Sequence, residues 1–235
     1  MQFAQKRRNY GDMFQVDFKK INNGRTKGIL LDLDNTLYEY EMCHLYALKK
    51  CHKNLRKIKK VSFEQFKKDY DLAKREVKKN TFDQAASHSR FLYFQKFFEN
   101  KFKKTDVDLT IKFEDLYWSN FFKRMKLFEG VLDFLKKCGK SGIKICLITD
   151  LTARIQFEKI KFLKLEKYFD FIVSSEEAGR EKPHKNIFSL ALRKLEMGPK
   201  EVIIVGDDYC RDFVGGKNLK IKIILTNSKK GKFYV

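Results

Sequence analysis

Two hydrophobic rhythms run along this chain and divide it. Gly28-Ile29-Leu30-Leu31 is a short, unbroken apolar run of the kind that forms a strand buried on both faces. From about Glu39 to Lys126 there is no proline or glycine, and apolar residues return at helical spacing. Phe63, Phe66, Tyr70 and Ala73 form one such series; Phe91, Phe94, Phe97 and Phe98 form another. That spacing predicts three to five amphipathic helices whose aromatic stripe is a bundle core and not a stacking platform. Beyond Glu129-Gly130 the two rhythms interleave. Predicted helices over 131–140, 154–165, 185–195 and 211–218 each precede an apolar run, over 144–148, 171–173, 202–205 and 221–225 respectively. Strands alternating with helices of this length make βαβ units, hence a doubly wound α/β core with a parallel sheet covered on both faces. The expected boundaries are an N-terminal extension over 1–27, a core built from 28–38 and 127–226, a helical insertion over 39–126 and a C-terminal tail over 227–235.

A length of 235 residues, 43% hydrophobic and 34% charged, suits a globular chain with a sizeable core. No apolar run approaches the roughly 20 residues of a membrane-spanning helix, so no membrane partner is expected. Lys6, Arg7 and Arg8 are not followed by an apolar stretch, unlike the start of a signal peptide. The five cysteines (Cys43, Cys51, Cys138, Cys146 and Cys210) are odd in number and form no Cys-x-x-Cys pair. This argues against a disulfide framework or zinc knuckle and for a reduced, cytoplasmic setting; Cys210 reads as a small buried residue.

The net charge of +21 raises the question of a polyanionic partner. Of the basic residues, however, 40 are lysine and only 11 arginine. They are spread over the chain, densest from Lys49 to Lys79, without an Arg-rich block interleaved with aromatics. The pattern describes a solvated lysine-rich surface and weighs against nucleic acid as a partner, while still favouring electrostatic steering of a phosphorylated substrate. Oligomeric state is not encoded in any pattern here.

Chemistry concentrates in four patches. They are Asp32-Leu33-Asp34-Asn35-Thr36-Leu37, Thr149-Asp150, Lys182-Pro183, and Gly206-Asp207-Asp208 with Asp212. Ligands of open parallel sheets bind beyond the carboxyl ends of the strands, and three of the four patches fall there. Asp32 and Asp34, alternate residues leaving a strand, can project two carboxylates into one pocket, one as nucleophile and the other as acid and base. An Asx-rich turn is the other reading of Asp-x-Asp alone, but Asp-x-Asp-Asn-Thr-Leu directly after an apolar strand favours the catalytic one. Thr149 can hold a phosphate oxygen through its hydroxyl and the following N–H, or else cap the next helix. Lys182 can neutralise charge on a phosphoryl group and on an attacking carboxylate. Asp207, Asp208 and Asp212 are hard oxygen ligands suited to Mg²⁺, and packing such like charges without a cation is costly. His44, His52, His88 and His184 show no metal-ligand spacing, and Gly215-Gly216 reads as room for close helix packing, not as a dinucleotide fingerprint.

In this order and on this strand–helix pattern, the four patches resemble the haloacid dehalogenase superfamily of hydrolases over about residues 28–226. The insertion resembles the helical cap that one subfamily carries after its first strand. The resemblance implies Asp32 as the nucleophile forming an aspartyl-phosphate, Asp34 as general acid and base, and Thr149 and Lys182 as phosphate holders with Asp150 beside them. It implies Mg²⁺ held by Asp32, the backbone carbonyl of Asp34 and Asp207; Asp208 is grouped with these ligands and Asp212 just outside them. Asp34 is informative because dehalogenases of the superfamily lack an acid there: a departing phosphoryl oxygen needs a proton donor, a halide does not. Asp150 and the long N-terminal extension depart from the family pattern, Asp150 by adding negative charge beside the phosphate site. The expectation is a Mg²⁺-dependent phosphatase for a small phosphorylated metabolite: a sugar, sugar-acid or nucleotide phosphate. A phosphomutase of the same superfamily and a basic polyanion-binding module without turnover are the alternatives.

Overall fold

A run such as Gly28-Ile29-Leu30-Leu31 offers solvent no polar side chain, and it forms the centre of a sheet. In the computed structural model, which describes Phe14 and residues 16–226, the strands are β1 (Gly28–Leu31), β2 (Lys144–Thr149), β3 (Phe171–Ser174), β4 (Val202–Gly206) and β5 (Lys222–Leu225). All pairings are parallel, in the order β3-β2-β1-β4-β5. The two faces of β1 feed different cores. Ile29 and Leu31 join one apolar cluster, which includes Val131 and Phe134; Leu30 joins a second, which includes Ile187 and Phe188. This is the doubly wound α/β architecture that the alternating pattern predicts.

Between β1 and the next core helix lie α1 (Tyr40–Leu55), α2 (Phe63–Asn80), α3 (Arg90–Phe102) and α4 (Val107–Arg124). Three of them start at side-chain caps: Ser62 accepts from the Gln65 N–H, Ser89 from Leu92 and Asp106 from Leu109. Their aromatic stripe is interior. Phe66, Tyr70, Phe94 and Phe98 are fully buried, and edge-to-face pairs such as Phe98–Phe113 (5.0 Å between ring centres) lock the helices together. The remaining helices are α5 (Val131–Lys140), α6 (Ala153–Phe162), the single turn α7 (Ser175–Ala178), α8 (Lys185–Leu195) and α9 (Val214–Asn218). Among the described residues no helix is long and apolar enough to cross a membrane.

Several boundaries differ from the sequence expectation for identifiable reasons. α6 stops at Phe162, three residues early, because Lys164 takes a left-handed backbone conformation and the Leu165 N–H turns back to the Ile160 carbonyl. The helix expected over 211–218 is two pieces, a π-helical turn over Tyr209–Phe213 and then α9. Cys210, expected to be buried, is exposed in that turn; the other four cysteines are buried, and all five are free thiols. The part of the N-terminal extension that is described has a structural role. Phe14 and Ile21 are buried, the Phe14 ring sits 4.9 Å from that of Phe134, and the Phe14 N–H donates to the Glu129 carbonyl. Residues 1–13 and the expected tail over 227–235 lie outside the described residues.

Gly215 and Gly216 do provide close approach. A Cβ on Gly216 would stand 2.6 Å from Ile204 Cδ1 and 2.8 Å from Ile223 Cγ1, so α9 can lie directly on β4 and β5. Gly216→Ala is therefore expected to lower stability by about 1–3 kcal/mol in urea denaturation. Gly139→Ala, in α5 with nothing within 4 Å of the added carbon, should leave stability unchanged or raise it by about 0.5–1 kcal/mol. Equal effects of the two substitutions would refute this packing account.

Candidate active site

The strand register makes the site. Leu31 of β1 pairs with Leu147 of β2 on one side and with Val205 of β4 on the other. Asp32 and Asp207, just beyond the ends of β1 and β4, and Thr149, the last residue of β2, consequently emerge side by side at the carboxyl edge. Lys182 arrives from the segment between α7 and α8 and is almost wholly buried. Its Nζ donates to Asp32 Oδ1 (2.6 Å) and to Asp212 Oδ1 (2.9 Å). The Thr36 hydroxyl donates to Asp32 Oδ2 at 2.7 Å and lies 3.2 Å from Asp207 Oδ1.

Carboxylate oxygens of Asp32, Asp207 and Asp212 lie within 4.8 Å of one another. Burial pushes the Asp32 carboxyl up to about 6, against the pull of Lys182 and with a further push from Asp212. Burial, then repulsion from Asp32 and Asp212, pushes Asp207 up to about 8. On Lys182 the balance runs the other way: burial alone would lower its pKa, but Asp212, Asp32 and Asp150 raise it well above the ordinary lysine range. One ammonium among these carboxylates leaves negative charge uncompensated. An all-oxygen donor set with excess negative charge fits a hard divalent cation.

The sequence leaves open whether Asp208 or Asp212 is the closer to a metal, and the structure separates the two. Asp212, expected outside the metal ligands, is fully buried in the cluster, because Gly206 has no side chain: a Cβ there would overlap the Asp212 carboxylate. Asp208, expected among the ligands, turns away. Its Oδ1 accepts from the N–H groups of Cys210 and Arg211, capping the π-helical turn, while its own N–H donates to Asp212 Oδ2.

Asp150, expected with the phosphate-binding groups, is an acceptor whose oxygens are already engaged. Oδ1 takes the Lys182 backbone N–H (2.9 Å) and Oδ2 takes Arg211 Nη1 (3.0 Å). Its side chain thus positions Lys182 and Arg211 and has no donor for a phosphate oxygen, which leaves its backbone N–H for that part. Thr149 is not a helix cap, since α6 begins after Thr152; its buried hydroxyl accepts from Gln156 Nε2 at 2.6 Å and faces the cavity.

Asp34 is held by groups that the sequence reading did not single out. Lys159 Nζ donates to both of its oxygens at 2.8 Å, Gln156 Nε2 to Oδ2 at 3.2 Å, and the Tyr38 hydroxyl to Oδ1. Lys159 is 0% exposed and lies over the rings of Tyr40, Trp118 and Phe121, 5.5–5.7 Å from their centres. Burial alone would raise the Asp34 pKa; Lys159, Tyr38 and Gln156 outweigh it and hold the carboxyl below the usual range. Burial also lowers the pKa of Lys159, against the pull of Asp34. A signal for this pair does exist in α6, where Gln156 and Lys159 occupy the buried face while Phe157 and Phe162 are exposed. Polar side chains in the core positions of an amphipathic helix need partners there.

The cavity above these groups has a volume of about 280 Å³ and is walled by both parts of the chain. The core supplies the groups above; the insertion contributes Tyr40, Lys74, Lys78, His88 and Arg90. Arg90 is itself buried, donates to the Tyr40 hydroxyl and the His88 carbonyl, and is surrounded by aromatic rings.

Comparison with known proteins gives concordant results. Residues 29–226 match the family described as haloacid dehalogenase-like hydrolase. A ribulose-1,5-bisphosphate 5-phosphatase of Halopiger xanaduensis is 34% identical over 201 residues, 84% of this chain and 83% of that protein. A glyceraldehyde 3-phosphate phosphatase of Pyrococcus furiosus is 33% identical over 108 residues, 46% of this chain and 45% of that protein. Among solved structures, a HAD phosphatase from Thermococcus onnurineus superposes with a TM-score of 0.70 at 22% identity, covering 89% of this chain and 90% of that one.

Lys159→Met strands Asp34 as a carboxylate without its cation, and is expected to lower stability by about 3 kcal/mol at neutral pH. Adding Asp34→Asn should restore a large part of that loss. Additive losses in urea denaturation would mean that the two groups do not act as a pair.

Proposed function

The chain belongs to the haloacid dehalogenase-like hydrolase family, and on that footing we propose that it is a Mg²⁺-dependent phosphatase acting on a small phosphorylated metabolite. The observation that carries the reading is the buried Asp32 carboxylate, fixed by Lys182 and Thr36 beside Asp207 and Asp212, at the floor of a cavity. A nucleophile so held has little orientational freedom to lose on reaching the transition state. Asp32 attacks phosphorus and forms an aspartyl-phosphate as the ester oxygen departs. Asp34 gives that oxygen its proton, then takes one from the water that cleaves the acyl phosphate, releasing inorganic phosphate and restoring Asp32.

Asp34 can serve in both steps because it is paired with Lys159. At 2.8 Å the pair shares one transferable proton, and burial weakens the hold of Lys159 on it. A proton source at this position supports a phosphoryl-oxygen leaving group over a halide. Mg²⁺ fits the carboxylates of Asp32, Asp207 and Asp212 with the Asp34 carbonyl, and would neutralise charge on the phosphoryl oxygens. Lys182 and the Thr149 hydroxyl face the same oxygens. Helices α1–α4 act as a cap that excludes water from the cavity. The two relatives named for phosphatase activity on a sugar bisphosphate and on a triose phosphate favour a sugar phosphate as substrate.

The direct test is phosphate release from a panel of sugar, sugar-acid and nucleotide phosphates, with Mg²⁺ and with EDTA. Release from a few of them that EDTA abolishes, and that Asp32→Asn lowers by about 10³-fold or more, is the expected result. Unchanged activity of Asp32→Asn would end the nucleophile assignment; isomerised product without free phosphate would identify a mutase instead. Metal affinity gives a second check. Asp32 and Asp207 hold protons up to about 6 and about 8, so Mg²⁺ must displace them at acid pH. Calorimetry should show Mg²⁺ binding strengthening from pH 6 to pH 8 with proton release; weakening over that range would contradict the assigned ligands.

A further inference from the structure

We propose that Lys74 and Lys78 of α2, facing Arg211 of the core, bind a second phosphoryl group, so that the preferred substrate is a bisphosphate whose other phosphate meets Asp32. The inference rests on the phosphatase reading and adds the chemistry of the substrate's far end.

Lys74 and Lys78 stand one helical turn apart on the same face of α2 and both line the cavity. Both are half-buried, unlike Arg75 and Lys79, which are exposed on the same helix at the same spacing. Like charges at this spacing repel. Elsewhere on α2 such charge is compensated, as where Lys67 pairs with Asp71 at 2.7 Å. Among the described residues, neither Lys74 nor Lys78 has a carboxylate within ion-pair distance. The Lys78 ammonium is held below the ordinary lysine range by burial and then by Lys74 and Arg211, with Glu181 and Asp150 pulling the other way. Those two carboxylates are already committed. Asp150 takes Arg211 and the Lys182 N–H, and Glu181 Oε1 takes the Ser87 hydroxyl and lies 3.2 Å from His88 Nε2.

Lys74, Lys78 and Arg211 therefore line the same cavity as Asp32 and Lys182, with Glu41 of α1 also in the lining. Arg211 is paired with Asp150, and the carboxylates that pull on Lys78 are committed to other partners. A phosphate dianion satisfies this arrangement. Its two negative charges match Lys74 and Lys78, since Arg211 is already paired with Asp150, and it has enough acceptor oxygens for all three side chains. A volume of about 280 Å³ also exceeds what one phosphate group occupies.

The test is calorimetric binding to the Asp32→Asn protein, which keeps substrate intact, in the presence of Mg²⁺. The probes are ribulose 1,5-bisphosphate, ribose 5-phosphate and 3-phosphoglycerate. The bisphosphate should bind about tenfold or more tightly than the monophosphate. Lys74→Met/Lys78→Met should cut bisphosphate affinity by about tenfold more than monophosphate affinity. Arg75→Met/Lys79→Met, which removes the same charge from the exposed face of α2, should not. Equal binding of the bisphosphate and the monophosphate, or equal losses in the two double variants, would overturn the subsite and leave only the general positive field. Binding of 3-phosphoglycerate as tight as that of the bisphosphate would overturn the phosphate assignment. Turnover by the unmodified protein is measured separately: no release from any ester would sink the phosphatase reading, while the binding ratios still decide the subsite.

Discussion

The site depends on one buried ammonium. Asp32, Asp207 and Asp212 converge because β1, β2 and β4 are adjacent and parallel, and such convergence of carboxylates opposes folding unless positive charge accompanies it. Lys182 Nζ, within 3 Å of both Asp32 and Asp212, supplies that charge. Its backbone is tied in turn through its N–H to Asp150. Remove this cation and the cluster either takes up protons or opens. With it in place, the cluster remains short of positive charge, a setting that fits a hard divalent ion. Electrostatic strain left by the fold is thus the source of its binding capacity.

A second ion pair divides labour with the first. Lys182 holds Asp32, and Lys159 holds Asp34. The two differ in setting. Lys182 is surrounded by carboxylates and its pKa rises, whereas Lys159 has one carboxylate and several aromatic faces and its pKa falls. A lysine of the first kind acts as a permanent charge. The second kind holds its proton less tightly than an ordinary lysine, because burial outweighs the pull of its one carboxylate. The rings of Tyr40, Trp118 and Phe121 that cover Lys159 belong to the inserted helices. The insertion therefore provides the apolar wall that desolvates the Asp34–Lys159 pair.

What was legible in the sequence follows from the range of the forces involved. The alternating apolar runs placed all five strands, since strand burial is written in local composition, and the residues after β1, β2 and β4 were found because parallel sheets present ligand groups there. Helix ends were less legible. The left-handed turn at Lys164 and the π-helical turn at Tyr209–Phe213 arise from backbone bonds that no short pattern records. Asp208 and Asp212 could not be ranked, because the choice depends on the missing side chain of Gly206, which opens space only once the turn folds back over it. Lys159 was lost among 40 lysines, although its place on the buried face of α6, beside an exposed Phe157, is an inversion that a helical wheel would expose. The N-terminal aromatics show no period, yet Phe14 and Ile21 are buried, since isolated anchors need only a receiving groove.

The high positive charge takes on meaning only through these placements. Of 51 lysines and arginines, most lie at the surface, where ion pairs such as Lys27–Glu201 contribute little and are screened by salt. Buried at the site, the same side chains act differently according to what surrounds them. Lys182 balances Asp32 and Asp212, Lys159 holds Asp34, Arg90 is packed among aromatic rings, and among the described residues Lys74 and Lys78 have no carboxylate within ion-pair distance. A surface field of +21 attracts any anion, so it raises encounter rates without choosing among esters. Selection requires cations that are partly desolvated and fixed at a set distance from the nucleophile. The core provides Asp32 and Lys182 and the inserted helices provide Lys74 and Lys78 to the same cavity, so on the proposed reading variation in α2 would change which phosphate ester fits without touching Asp32.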